Sequence, residues 1–324
     1  MFRQDRTNPS TAVSNWRGRH DTPKAWPSTA VSTWLNGGLF GGFTAITATG
    51  GDTITDYTYS GFNYRVHIFI NSGTFQITAN PDEHTFDVLE YGGGGGHSTY
   101  AKGGGGSGGR TDTTGIAGTV QSYTVAVGAG GSGAGTNTTF VDAPGATPTL
   151  YAAGGGHPEG TPGWCDGGVA GDSTSGYGGG NAGGLGCSHG TPNVGTGGGG
   201  GAGTGGVGSD SSAFSVPGAV YNNGGPGGAG TTHAEYGSGY IGGGGGGGQG
   251  NTPSWYSQPP YGFGTAGGGN GGYATWGPGG GGSGNDGTTS TGGGGGGQGG
   301  GFPATNIYGG SGVVRIMYPL EDTT

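Results

Sequence analysis

Gly242-Gly243-Gly244-Gly245-Gly246-Gly247-Gly248 is the longest uninterrupted glycine run in a glycine-rich body that spans residues 92–312. Shorter runs stand at Gly92–Gly96, Gly103–Gly106, Gly197–Gly201, Gly279–Gly282 and Gly292–Gly297. Two physical states accommodate such a sequence. One is a flexible coil. The other is a packed array of extended polyglycine II helices with about three residues per turn. Without Cβ atoms, neighbouring helices of this kind can approach closely enough to pair their backbone groups on several sides.

The energetics of glycine decide what the packed state requires. Ordering one residue's backbone costs roughly 1–2 kcal/mol, and glycine has the most conformational freedom to lose. A hydrogen bond returns only about 0.5–1.5 kcal/mol net. The array is therefore stable only if nearly every amide is paired and an apolar element anchors its ends.

Composition favours the ordered state. With 96 glycines among 324 residues and 28% hydrophobic residues, the chain cannot build a conventional aliphatic core. Its 8% charged residues are too few for a typical charged disordered tail, and the glycines keep no collagen-like register of three. The 16 Tyr, 11 Phe and 6 Trp residues supply large apolar surfaces that a linker does not need.

The charge is unevenly distributed. The net charge is −9, yet five basic residues lie near the N-terminus: Arg3, Arg6, Arg17, Arg19 and Lys24. A basic head on an acidic body predicts docking to an acidic partner rather than nucleic-acid binding, although a merely solubilising arm is the alternative. We expect no membrane insertion and no ordinary secretory export, because no apolar run has the length of a membrane span and no signal-peptide core follows Met1.

Residues 1–42 contain an internal duplication. Pro9-Ser-Thr-Ala-Val-Ser-Asn-Trp16 is repeated as Pro27-Ser-Thr-Ala-Val-Ser-Thr-Trp34. We predict an extended docking arm that adds to the surface of a partner protein, and a hairpin between the two copies is the alternative. The candidate docking residues are Val13, Trp16, Arg17, Arg19, Val31 and Trp34.

Strand-like text flanks the glycine body at both ends. Alternating or β-branched segments predict strands at 53–55, 65–70, 74–78, 85–91, 123–127, 150–153 and 312–318. The expected fold is mainly β: a small antiparallel scaffold at 43–91, a polyglycine II body at 92–311, and a C-terminal strand at 312–324 that returns to the scaffold.

Three of these blocks carry a family resemblance that covers roughly residues 52–318. They are the segment from His67-Ile68-Phe69 to the first glycine run, Tyr123-Thr-Val-Ala-Val-Gly-Ala-Gly-Gly131, and Gly309-Gly-Ser-Gly-Val-Val-Arg-Ile-Met-Tyr318. In this order they resemble the glycine-rich domain of bacteriophage tail proteins. The resemblance implies a structural or host-recognition part of a virion, such as a fibre or a polyglycine-helix adhesin, and not an enzyme.

The sequence offers little for catalysis or for cofactor binding. Glycine-rich phosphate motifs arise here by chance, none is framed by a strand and a helix, and we expect no cofactor. The one cluster of nucleophile and metal-ligand types is His157, Cys165, Asp166, Cys187 and His189, whose spacing suits zinc poorly. Cys165 and Cys187 either pair as a disulfide or stay as thiols; we expect neither a metal nor a catalytic site.

The segments between glycine runs are rich in aromatic residues and turn formers, which predicts loops at the ends of the array. Such side chains suit stacking on sugars or docking to a protein, and the alternative is that they cap the array. The candidate receptor-binding residues are Trp164, Tyr221, Tyr236, Trp255, Tyr256, Tyr261, Phe263 and Trp276.

Three functions therefore follow from the sequence. The first is a virion fibre or adhesin that attaches to a glycan or protein of the host surface. The second is a structural or decorative virion protein of the head or tail that binds only other virion proteins. The third is an ice- or surface-binding polyglycine-helix protein, for which the irregular segments are a poor match.

Overall fold

A computed structural model describes residues 43–97, 103–142, 150–156, 183, 200–216, 219–248, 262–273, 282–299 and 305–321. These residues form fourteen strands and one short 3-10 turn at Ala234–Tyr236. The strands are β1 Thr47–Thr49, β2 Thr53–Tyr59, β3 Phe62–Phe69, β4 Gly73–Ala79, β5 Thr85–Tyr91, β6 Arg110–Ala117, β7 Ser122–Ala126, β8 Thr138–Val141, β9 Leu150–Ala152, β10 Ser212–Val216, β11 Ala219–Asn223, β12 Thr231–His233, β13 Ser238–Ile241 and β14 Val313–Pro319. The described part of the chain has no helix long and apolar enough to span a membrane.

Ten of the strands form two antiparallel sheets of five. The first sheet has the order β1-β4-β7-β8-β9, and the second has the order β2-β3-β14-β5-β6. In the second sheet, β14 lies between two early strands, with Val314 opposite Phe69 on β3 and Val313 opposite Tyr91 on β5. The mainly β fold with an antiparallel scaffold, predicted from the sequence, is confirmed.

An aromatic core holds the two sheets together. Phe75, Tyr123 and Phe140 come from the first sheet and pack against Phe86 of the second, and all four are buried. The rings of Tyr123 and Phe140 stack with centroids 5.1 Å apart, and the edge of Phe86 meets Tyr123 at 5.5 Å. Aromatic pairs contribute about 0.5–1.5 kcal/mol beyond the area they bury, so this cluster supplies an apolar anchor without many aliphatic residues.

The second sheet is covered on both faces. Its outer face buries Val66, Leu89 and Met317 beneath Tyr236 and Ile241, which come from the β12–β13 hairpin and the 3-10 turn within it. Two buried faces explain why β14 is apolar along nearly its whole length and why residues 88–91 of β5 are all buried.

The glycine runs pair their backbones in three directions. Along residues 92–97, successive amides donate to carbonyls at 109, 136, 310, 106, 133 and 307, over N···O distances of 2.8–3.0 Å. Amides three residues apart therefore donate to the same neighbouring segment: 92 and 95 to 106–109, 93 and 96 to 133–136, and 94 and 97 to 307–310. The adjacent run follows the same rule, because amides 105 and 108 donate to carbonyls 295 and 292, and amides 106 and 109 donate to 156 and 153. This threefold pairing supports the polyglycine II conformation, which stays a prediction.

The runs grow directly out of the strands. Tyr91 of β5 leads into Gly92, and Gly109 leads into Arg110 of β6. The amide of Gly92 donates to the carbonyl of Gly109 at 3.0 Å, so the β5–β6 ladder continues into the glycine body. Packed strands therefore fix the position of the runs at this end.

The predicted division at Gly92 is not a boundary in space. Strands β6 to β9 follow it in sequence but complete the two sheets, and residues 44–324 form one compact unit. The scaffold is therefore larger than residues 43–91. The predicted arm, residues 1–42, lies outside the described residues.

The packing of the runs makes Gly245 a sharp test. A Cβ on Gly245 would overlap the carbonyl group of Gly295, whereas a Cβ on Gly133 would meet nothing within 4 Å. We expect Gly245→Ala to lower the free energy of unfolding by about 3 kcal/mol or more, and Gly133→Ala to change it by less than about 1 kcal/mol. Denaturant unfolding measures both variants, and Gly245→Val should be more damaging still. Equal effects of the two alanine variants would contradict close packing of these runs.

Glu90 makes the stability of the sandwich, the two packed five-stranded sheets, depend on pH. It is fully buried on β5, and neither carboxyl oxygen has a hydrogen-bond partner among the described residues. Burial raises its pKa well above the usual 4.5, so the folded chain holds this carboxyl protonated where the unfolded chain releases the proton. The contribution of the protonated Glu90 carboxyl to the free energy of unfolding is full below about pH 4.5, and it is lost as the pH rises towards the folded-state pKa.

We therefore expect Glu90→Gln to raise the thermal unfolding midpoint at pH 8, with little change at pH 4. The amide keeps the size of the side chain and cannot ionise. Glu83→Gln, at an exposed glutamate, is the control and should change neither midpoint. Equal shifts at both pH values would show that ionisation of Glu90 is not the cause.

Candidate functional site

The glycine runs have a far end, opposite the sheets, at the level of His97. The amides of His97 and Ile307 each donate to the other's carbonyl at 2.9 Å, five residues beyond the start of the run at Gly92. The same level includes Gly297, whose amide donates to the carbonyl of Gly246, and Gly262, whose amide donates to that of Gly247. We call this level the distal end.

The predicted recognition segments are flanked by residues at the distal end. Gly248 and Gly262 stand on either side of residues 249–261. Tyr273 and Gly282 stand on either side of residues 274–281, and the amide of Gly282 donates to the carbonyl of Tyr273 at 2.8 Å. Trp255, Tyr256, Tyr261 and Trp276 themselves lie outside the described residues, as does Trp164.

Two aromatic side chains at the distal end are exposed. Phe263 is 55% exposed and Tyr273 is 47% exposed. Their backbones are nevertheless held by hydrogen bonds. The amide of Gly227 donates to the carbonyl of Phe263, and the amide of Gly282 donates to the carbonyl of Tyr273. The backbone is thus fixed while about half of each residue's surface is exposed, which leaves aromatic surface for stacking on a ligand.

The β10–β11 hairpin also belongs to the distal end. Tyr221 lies on β11 opposite Phe214 on β10. Shortly after β11, the carbonyl of Gly225 accepts the amide of Gly247. The predicted loop at 216–223 is therefore partly a strand, whose pairing fixes the backbone of Tyr221.

Tyr236 corrects the predicted set of receptor-binding residues. It was expected on a display loop, but it is only 2% exposed and packs on the outer face of the second sheet. Its hydroxyl donates to Asp112 Oδ1 at 3.2 Å. The segment at 232–236 reads as a polar loop, yet β12 and the 3-10 turn place the tyrosine ring in a core, so it is not available to a receptor.

Other predicted residues fall outside the described part of the chain. These are the docking candidates Val13, Trp16, Arg17, Arg19, Val31 and Trp34, and the possible ligand set His157, Cys165, Asp166, Cys187 and His189. Whether Cys165 and Cys187 form a disulfide therefore stays open.

A polar cluster that sequence reasoning missed lies beside Tyr236. His233 Nδ1 is 2.9 Å from Glu235 Oε1 and 3.7 Å from Asp112 Oδ2, and the imidazole is almost fully buried. Arg110 Nη1 lies 3.4 Å from His233 Nε2. Asp112 and His233 are distant in sequence and share no motif, so no sequence pattern predicts that they lie close together.

The hydrogen bonds of this cluster fix the histidine tautomer. Arginine can only donate, so His233 Nε2 accepts from Arg110 and Nδ1 carries the proton that is donated to Glu235. Burial lowers the pKa of His233, and the charge of Arg110 lowers it further against the opposing effect of Glu235. The imidazole is accordingly neutral at pH 7.

The geometry of Asp112, His233 and Glu235 resembles a metal-ligand set, because one atom of each lies within 4.8 Å of the others. A metal on Nδ1 needs the lone pair of that nitrogen, so the single proton of the neutral imidazole would have to move to Nε2, where it would face the donor group of Arg110. Two donors would then oppose each other. The cluster as arranged does not fit a metal and acts as a hydrogen-bonded support for the β12–β13 hairpin.

Comparison with models of known protein families finds no match to this chain, and comparison with curated proteins finds none either.

Proposed function

We propose that this protein is a phage virion component, a tail fibre or adhesin, whose distal end attaches to the host surface. The observation that carries the proposal is the distal end itself. Exposed Phe263 and Tyr273 stand there on a hydrogen-bonded base, beside the segments that contain Trp255 and Trp276. Recognition residues on loops that a rigid scaffold positions are a common arrangement in binding proteins.

The chemistry of these segments favours a glycan or a polar protein surface. Residues 253–263, Pro-Ser-Trp-Tyr-Ser-Gln-Pro-Pro-Tyr-Gly-Phe, carry four aromatic rings and no charged residue. Aromatic faces stack on the apolar faces of sugars, while serine and glutamine side chains supply adaptable hydrogen bonds. The glycine body holds Phe263, the described end of this stretch, away from the sandwich, as attachment to an external surface requires.

In the same proposal, the N-terminal arm joins the protein to the virion. Each copy of Pro-Ser-Thr-Ala-Val-Ser-x-Trp offers one valine and one tryptophan as apolar anchors, so a single copy binds weakly. Two linked copies can exceed single-site affinity by about 100-fold, provided that both sites are reached together. Arg17, Arg19 and Lys24 between the copies favour an acidic partner surface.

Removing one aromatic ring tests the distal end. We expect Trp255→Ala and Phe263→Ala each to reduce adsorption to the host by about 10-fold, which corresponds to about 1.4 kcal/mol of lost binding. Adsorption assays on intact particles measure the effect, and Trp164→Ala and Trp276→Ala extend it.

The control for this test is Val120→Ala, which truncates an exposed apolar side chain (57% exposed) between β6 and β7 of the sandwich. It should leave adsorption unchanged. Unchanged adsorption of all four aromatic variants, with normal incorporation, would favour the purely structural role.

Replacing both tryptophans of the arm tests docking. We expect the double variant Trp16→Ala with Trp34→Ala to fold normally and to be lost from purified particles, because both apolar anchors are removed. Each single variant should retain partial incorporation, and deletion of residues 1–36 should match the double variant. Quantitative immunoblots of particles measure this. Full incorporation of the deletion variant would exclude the arm as the attachment point.

A further inference from the structure

A cavity of about 260 Å³ lies on the outer face of the second sheet, beside the polar cluster. Its wall combines aromatic rings with carboxylates, contributed by Tyr59, Tyr64, Tyr236, Asp87, Asp112 and Glu235. The volume is below the roughly 300–1,000 Å³ typical of sites for drug-sized ligands, so the cavity suits a group about the size of a side chain.

A β-bulge places one of the carboxylates. The register of β5 and β6 shifts between Phe86 and Val88, and Gly115 has a φ of +72° at this point. The amide of Gly115 donates to Asp87 Oδ1 at 2.8 Å. The bulge therefore holds the Asp87 carboxylate in a fixed orientation on the sheet surface.

The carboxylates give the cavity a negative potential. Burial raises the pKa of Asp87, and the negative charge of Asp112 raises it further, so the two carboxylates lie within range of mutual repulsion. Among the described residues, neither Arg110 nor Arg315 lines the cavity; Arg110 contacts His233, and Arg315 Nη1 donates to the carbonyl of Tyr236. A cation that enters the cavity would relieve this repulsion.

The tyrosine rings add a second attraction for a cation. A guanidinium or alkylammonium group within about 6 Å of an aromatic face gains a cation–π contribution that increases as water is excluded. A neutral sugar gains neither this contribution nor the charge attraction. Rings and carboxylates around one small cavity therefore favour a positive ligand.

We propose that this cavity binds a guanidinium or alkylammonium group, carried by a side chain of a partner protein or by a small amine. Asp87 and Glu235 pair with the positive charge, and Tyr59 and Tyr64 flank its apolar stem. The site lies on the sandwich rather than at the distal end, so it is independent of host attachment and either proposal can fail alone.

The test compares two ligands of the same shape. N-acetyl-arginine amide is titrated into the full-length protein at pH 7 and low salt, and binding is followed by NMR of the tyrosine rings or by calorimetry. N-acetyl-citrulline amide, which lacks the charge, should bind about 10-fold more weakly or not at all. Binding of the arginine ligand should weaken as salt is added, because exposed charges are screened. Putrescine, titrated in parallel, distinguishes a small amine from a peptide side chain.

Two isosteric variants test the assigned residues. Asp87→Asn with Glu235→Gln removes two charges while keeping the oxygen acceptors that Gly115 and His233 use, so the fold should persist, as a thermal unfolding scan would verify. The double variant should lose at least about 10-fold in affinity for the arginine ligand. Glu83→Gln, at an exposed glutamate that does not line the cavity, is the control. Equal binding of the two ligands, unaltered affinity of the double variant, or no saturable binding would each overturn the proposal.

Discussion

The close approach of glycine backbones is the constraint on which the structure depends. Where the amide of one run meets the carbonyl of another at 2.7–3.0 Å, as between Gly245, Gly105 and Gly295, no space is left for a side chain. Each glycine loses more conformational freedom than any other residue would, and the return per hydrogen bond is small. The array is stable because pairing in three directions leaves few buried backbone groups unpaired.

The sandwich solves the problem that the array creates. A hydrogen-bonded glycine body has little apolar surface to bury, so its position must be fixed from outside. The aromatic core around Tyr123 and Phe140 fixes the sheets, and the strands β5, β6 and β14 continue into runs that are already aligned. The β12–β13 hairpin covers the outer face of the second sheet, and its last residue, Ile241, is followed directly by the glycine run that begins at Gly242.

The sequence predicted the strands in which the order of apolar and polar residues indicates which side chains are buried. Phe75 and Ile77 alternate with polar residues on β4, and β14 is apolar along nearly its whole length. Strand β6, Arg-Thr-Asp-Thr-Thr-Gly-Ile-Ala, escaped prediction because it is an edge strand with a bulge at Gly115, and its pairing with β5 is what orders it. The prediction for Tyr236 was wrong because the sequence around it looks like a polar loop. Only the three-dimensional position of β12 shows that a core lies beneath this ring. Turn formers and aromatics predict the segments at the distal end, of which the structure describes only flanking residues, whereas the polar cluster and the cavity depend on contacts between strands far apart in sequence.

The central position of β14 has a consequence for how the chain folds during synthesis. The second sheet cannot close when β5 leaves the ribosome, because the strand that belongs between β3 and β5 begins only at Val313. Until then both neighbours expose unpaired edges, and the closure of so long a loop is slow relative to local pairing. Nascent chains are therefore most vulnerable to strand exchange with one another before β14 emerges, and this sheet is completed only when β14 inserts between β3 and β5.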